Sequence, residues 1–276
     1  MPGLWLLARL LALTGERLAL NRLGAEGPPL AVAVVAYGGG ALVLLPLAWA
    51  AHGHPLNPAA LLPGLVYTAS FMLYTAALAM GPLSVVAPWP AVTALILWTW
   101  HPVGGMAALC GVALVVGGGF VAGGGGSPRS WRPILLMVAS DLFLAAARLL
   151  DQGRGGGPLF AYAFTLYAVV GGMLALAGVL TGQTGAVGQL LRRAPGWALS
   201  GAMANGGAYL TVVALLRYWP PYLVEALSGL AGVTTVAVGV FGLREGNKGR
   251  KLLGAASMAV GAGILALLHG TLTLRW

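Results

Sequence analysis

The chain has 276 residues, of which 59% are hydrophobic and only 8% charged, with a mean hydropathy of +0.88. Soluble proteins carry about 25% charged residues to cover a wet surface, so this composition excludes a soluble fold and reads as an integral membrane protein. The net charge of +9 does not point to nucleic acid, because the basic residues scatter among short connections such as Arg192–Arg193 and 244–251, as topology signals or contacts for acidic lipid do. Cys110 is the single cysteine, which excludes an intramolecular disulfide, a Cys-based zinc site and an iron–sulfur cluster.

The first helix expected in chain order, Leu4–Leu20, holds Arg9, Glu16 and Arg17 and no convincing small-residue cleavage site, so it reads as a retained helix and not as a secretory signal. From Gly27 to Pro128 the chain then has no Lys, Arg, Asp or Glu. Roughly 20 apolar residues make one crossing, so this stretch has room for four spans. They are expected at Leu30–Ala51, Ala59–Met80, Pro82–Trp100 and Val103–Ala122. A Gly-Gly-Gly-Gly-Ser-Pro linker starts at Gly123, and five more helices follow it: Pro133–Leu150, Pro158–Leu180, Gly196–Leu216, Pro221–Leu243 and Leu252–Leu268. Backbone groups in lipid need internal partners, which makes apolar segments of this length helical. Pro82, Pro133, Pro158 and Pro221 stand near helix starts, where a missing N–H costs little.

The linker divides the chain into residues 1–128 and 129–276, and the two halves share landmarks in the same order. Pro29–Leu30 corresponds to Pro158–Leu159, Pro63–Gly64 to Pro195–Gly196 and Tyr74 to Tyr209, while the run 110–118 parallels 253–261. Five helices per half is an odd number, so the second half enters the membrane upside down relative to the first. The expected fold is an all-α membrane protein of ten transmembrane helices in two inverted five-helix repeats. Secondary transporters built this way bind substrate near the midplane.

Two stretches carry a more specific likeness: Gly-Pro-Leu-Ser-Val-Val-Ala-Pro at 81–88, and the closing run Val240–Leu265 with its Val-Phe-Gly-Leu-Arg-Glu-Gly turn and spaced glycines. With these the chain resembles the drug/metabolite transporter superfamily, in particular its ten-helix EamA-like branch. In that family a Gly-Glu loop precedes the last helix of each half. Here Gly242–Glu245 approximates it, while the first half has Trp100-His101-Pro102 and no acidic residue. The resemblance implies export or exchange of small metabolites by alternating access, without ATP hydrolysis.

Signatures of other chemistries are missing. The chain has no Gly-x-x-x-x-Gly-Lys-Ser/Thr phosphate loop, no His-Glu-x-x-His and no Gly-x-Ser-x-Gly. His52 and His54 share a loop without a thiol or acidic companion, so neither a metal nor a cofactor is expected.

An ionisable group inside a membrane is costly and faces a cavity or a partner. Three acidic residues fall well inside expected helices: Glu16, Asp141 and Glu225. Asp141, the deepest, reads either as a proton- or cation-binding carboxylate on the path between the halves or as a structural group bonded to Arg148 or to helix ends. Asp141 and Arg148 share a helix face but stand about 10 Å apart along the axis. Glu225 and Arg148 come to the same membrane face, where they form a gating ion pair or where Glu225 simply stabilises a helix N-terminus. Glu16 and Arg17 point about 100° apart and cannot satisfy each other. Tyr67, Ser70 and Tyr74 fall at i, i+3 and i+7, and Asn205 and Tyr209 at i and i+4, on helices equivalent under the repeat. These stripes either line a substrate cavity or bond helices together. Trp89, between Pro88 and Pro90, marks a kink. The expected substrate-binding set is Tyr67, Ser70, Tyr74, Trp89, Asp141, Asn205 and Tyr209, with Glu16, Asp141, Arg148 and Glu225 as coupling or gating groups and no catalytic residue.

If the N-terminal end is side A, five basic residues lie nearest it (Arg9, Arg148, Arg154, Arg217 and Arg275) and the other ten nearest side B. The positive-inside rule then places side B in the cytoplasm and both termini outside, whereas the resembled family has its termini in the cytoplasm. Three functional readings follow: a transporter of small metabolites such as amino acids or similar amphipathic solutes, a lipid or lipid-linked-sugar flippase, which needs a lateral opening, and, third, a membrane-embedded enzyme. The partners expected are a small-molecule substrate and the lipids of the inner or plasma membrane, not nucleic acid. The chain acts with or without proton coupling, as monomer or homodimer.

Overall fold

The computed structural model describes residues 2–100, 102, 105–123, 131–154, 158–244 and 246–273. His101, Val103, the linker at 124–130, Glu245 of the Gly-Glu turn, and Arg275 lie outside the described residues.

Every regular element among them is helical. In chain order they are α1 (Pro2–Gly24), α2 (Pro29–Ala51), α3 (Pro58–Met80), α4 (Leu83–Trp100), α5 (Gly105–Gly123), α6 (Trp131–Arg154), α7 (Leu159–Leu180), α8 (Thr184–Arg193), α9 (Pro195–Leu215), α10 (Pro221–Gly242) and α11 (Lys248–Thr273). All except α1 and α8 are long and apolar enough to cross a membrane, nine segments among the described residues. The chain is an all-α, multi-pass membrane protein.

Three boundaries differ from the sequence expectation in ways that matter. The α6 helix runs past Leu150 as far as Arg154, which brings Asp151 into the helix one turn beyond Arg148. The stretch 181–195, expected as a connection, contains α8, a short amphipathic helix that buries Leu190 and carries Arg192 and Arg193 exposed in its last turn, where cations complement the helix dipole. The last helix starts at Lys248 and not at Leu252, so it carries Lys248, Arg250 and Lys251 in its first turn.

Helices α1 and α9, α3 and α6, α2 and α7, α4 and α10, and α5 and α11 pack along each other. The α5–α11 contact is made by glycine. A Cβ on Gly254 would stand 2.4 Å from the Ala122 nitrogen, and one on Gly261 would stand 2.5 Å from the Gly111 carbonyl oxygen. Backbones this close gain dispersion contacts that do not need a hydrophobic driving force, which lipid does not provide. On α1 the charged residues Arg9, Glu16 and Arg17 are buried, while Leu4, Leu7 and Leu11 are exposed.

Two helices are interrupted where they approach the centre. Pro88 and Pro90 lack backbone donors, and α4 tightens there into a 3-10 turn at Trp89–Ala91 before resuming at Val92. In α10 the α-helical pattern breaks at Gly229, where the Gly232 amide donates to the Gly229 carbonyl at 2.7 Å.

Candidate functional site

Both interruptions face one open cavity, with Pro88 and Pro90 on one side and Ser228 and Gly229 on another. Five further helices complete the wall. From α1 come Arg9, Glu16 and Arg17, from α3 Ser70, Phe71 and Tyr74, from α6 Ser140 and Arg148, from α7 Tyr167, and from α9 Asn205 and Tyr209.

Glu225 of α10 is the hub. Arg148 Nε donates to Glu225 Oε1 at 2.6 Å, and Arg9 Nη2 lies 3.4 Å from the same oxygen. Arg9 also donates from Nη1 to the Ala208 carbonyl at 2.8 Å and from Nε to the Ser228 hydroxyl, so it joins α1 to α9 and α10. Arg148 uses its remaining capacity on the Tyr67 hydroxyl and on Asp151, whose Oδ2 is 3.4 Å from Nη1. Its guanidinium carbon lies 5.3 Å from the centre of the Tyr67 ring and 5.9 Å from that of Tyr209, within cation–π range. Asp151 accepts hydrogen bonds from Tyr67 at 2.6 Å, Tyr162 at 2.7 Å and Tyr209 at 3.1 Å. Two cations and two carboxylates, none more than 5% exposed, thus balance one another. Charges this deep are costly unless paired and hydrogen-bonded on most sides.

Glu16 and Arg17 belong to the same wall but to none of the three ion pairs of this network. Arg17 is 4% exposed; its Nε lies 3.4 Å from the Tyr74 hydroxyl, and its Nη1 has no hydrogen-bond partner among the described residues. Aromatic rings extend from here towards α7: Tyr67 meets Tyr209 edge-on at 5.5 Å between centres, Tyr209 meets Tyr167 at 5.3 Å, and Phe71 stacks on Tyr37 at 4.5 Å.

Of the residues singled out in the sequence, Glu16, Ser70, Tyr74, Arg148, Asn205, Tyr209 and Glu225 meet at the cavity wall. Tyr67 stands behind it, on Arg148 and Asp151. Ser70 serves the wall and the helix contact together, since Ser140 Oγ lies 3.1 Å from Ser70 Oγ and donates to the Ser70 carbonyl at 2.9 Å. The Asn205 amide oxygen takes the Tyr167 hydroxyl, and its nitrogen has no partner among the described residues. Trp89 packs edge-on against Phe120, 4.3 Å between ring centres, off the wall. Asp141, one residue after the wall-lining Ser140, is 1% exposed beside Thr93 of α4, and neither carboxyl oxygen has a hydrogen-bond partner among the described residues. It is bonded neither to Arg148 nor to a helix end.

Sequence reasoning passed over Asp151, Arg9, Tyr162 and Tyr167. The i, i+3 spacing of Arg148 and Asp151 was the available signal for the first, hidden by the expected helix end at Leu150. Positions 9, 13, 16 and 17 fall on one helical face and would have drawn Arg9 and Arg17 into the site together.

No protein-family model and no curated protein matches this chain. A solved crystal structure of a protein is similar to it throughout, with a TM-score of 0.73 over 97% of this chain and 97% of that one, at 18% sequence identity. At that identity the likeness is one of fold.

Proposed function

We propose that this chain is a secondary transporter of the drug/metabolite transporter type. It carries small metabolites, such as amino acids or similar amphipathic solutes, across the inner or plasma membrane by alternating access of two inverted five-helix halves. The observation that carries this reading is the cavity itself: a charged, aromatic-walled space among membrane-length helices, met by the interruptions of α4 and α10. Broken helices at a central site are the usual construction of transporter binding sites, because unwound backbone can serve a ligand only where it is shielded from lipid.

The pairing of helices supports the two-repeat reading. Exchanging the halves turns the α1–α9 contact into α6–α3 and turns α2–α7, α4–α10 and α5–α11 each into itself. The α1 helix supplies the tenth span: its 23 residues reach about 34 Å, enough for a hydrocarbon core, and its charges Arg9, Glu16 and Arg17 turn inward. Glu225 then joins the symmetry-related helices α1 and α6 through Arg9 and Arg148. The 3.4 Å contact to Arg9 is the weaker of the two and parts first when the halves rock, while the 2.6 Å contact to Arg148 holds. Asp141, buried beside the wall with no hydrogen-bond partner among the described residues, is the coupling carboxylate in this reading.

Purified protein in lipid vesicles tests the proposal. Saturable movement of labelled metabolites without ATP is expected. Leaflet exchange of a fluorescent lipid without solute flux would replace the reading with a flippase, and failure of both would overturn it.

A further inference from the structure

We propose that Arg17 seats an anionic group of the transported solute, a carboxylate or a phosphate; this deepens, and rests on, the transport reading above. The other two arginines of the wall are committed. Arg148 is taken by Glu225, Tyr67 and Asp151, and Arg9 by Glu225, Ser228 and the Ala208 carbonyl. Arg17 has only the long 3.4 Å contact from Nε to the Tyr74 hydroxyl, and it takes part in no ion pair among the described residues. A guanidinium 4% exposed, with Nη1 lacking any acceptor, is a costly thing to hold inside a membrane protein. The cost falls when an oxyanion arrives, because the planar fork of donors matches two oxygens of one carboxylate or phosphate.

Glu16, on the same wall, narrows the class. An anion placed on Arg17 also comes near the Glu16 carboxylate, so the solute that fits best has a hydrogen-bond donor, ammonium or hydroxyl, next to its acidic group. Phe71, Tyr74 and Tyr209 present apolar ring surface to the rest of such a solute. The class is therefore a compact amino or hydroxy acid, or its phosphorylated counterpart, with an apolar portion.

The test has two arms. In the first, vesicles containing the purified protein are loaded with a cell metabolite extract, and what leaves them is identified by mass spectrometry. Release of acids is expected from the natural protein, with at least a tenfold loss in Arg17→Gln and partial recovery in Arg17→Lys; carboxylate or phosphate is read directly from the released compounds. Release of only neutral or cationic solutes, or of acids at an unchanged rate from Arg17→Gln, would overturn the proposal. The second arm does not need transport: crystals of the natural protein soaked in 4-bromobenzoate, whose aryl bromine is not displaced by thiols, should show the anomalous signal of bromine beside Arg17. If nothing leaves the vesicles, the transport reading falls by itself, and the bromobenzoate arm decides the subsite, with no bromine at Arg17 counting against it. That arm also stands if the Gln variant fails to fold.

Discussion

Glu225 holds two arginines from two helices on one carboxyl oxygen, and removing its charge leaves both of them without that counter-charge. Breaking a buried pair by removing one partner costs about 3–5 kcal/mol, because the surviving charge keeps its desolvation penalty. Glu225→Gln is therefore expected to lower the melting temperature of the detergent-purified protein sharply and to abolish flux; an unchanged melting point would show that the network contributes nothing to stability. Asp141 is the opposite case, since its carboxyl oxygens have no hydrogen-bond partner among the described residues. Asp141→Asn keeps the shape, so the variant is expected to fold with an unchanged melting point and to transport at a rate that no longer varies with pH. A pH profile identical to that of the natural protein would remove Asp141 from the coupling role.

At the scale of the element, the α5–α11 contact depends on what its glycines lack. A methyl group on Gly254 meets the Ala122 nitrogen at 2.4 Å and the Gly118 carbonyl oxygen at 2.5 Å, both main-chain atoms that cannot swing aside. Overpacking of this kind costs about 1–3 kcal/mol, so Gly254→Ala should destabilise the protein by that amount. Gly263, on the same helix, has open space where its Cβ would be. Gly263→Ala is the matching control, with a melting point expected within a degree or two of the natural protein, since surface changes are worth about 0.5 kcal/mol or less. Equal effects of the two substitutions would contradict the close approach. Helix α4 shows its interruption in its prolines, whereas Gly229 gives no such warning in α10: a lone glycine in an apolar helix looks the same whether it packs, bends or does neither.

For the molecule as a whole, the cavity changes the reading of topology. Arg9, Arg17 and Arg148 face inward and say nothing about which loop lies in the cytoplasm. Without them, nine basic residues remain nearest the side opposite the N-terminus and three nearest the N-terminal side, so the bias strengthens. For the ten-span topology proposed above, the positive-inside rule expects both termini outside the cytoplasm. A fluorescent protein that matures only in the cytoplasm, fused after Trp276, should stay dark; bright cells would reverse the orientation.

The sequence by itself determined the class of solvent, the helical state and most helix limits. A hundred residues without a charge leave the backbone no partner except itself, and composition alone is enough to say so. The ordered landmarks, from Pro29 and Pro158 to the spaced glycines of the last helix in each half, are the sequence basis of the proposed division into halves. Part of the wall was also visible, because Ser70 and Tyr74 fall at helical spacing along α3. Only the tertiary structure decided which charges meet. Arg9 and Glu225 are 216 positions apart and Arg148 and Glu225 are 77 apart, and no local pattern encodes a contact made by bundle packing. It likewise put Asp151 among three tyrosines from three helices, left Asp141 with no hydrogen-bond partner among the described residues although it shares a helix with Arg148, and turned Arg17 into the cavity with its Nη1 lacking an acceptor among those residues. Periodicity assigns a side chain to a face of its own helix; what stands opposite that face depends on how the helices cross.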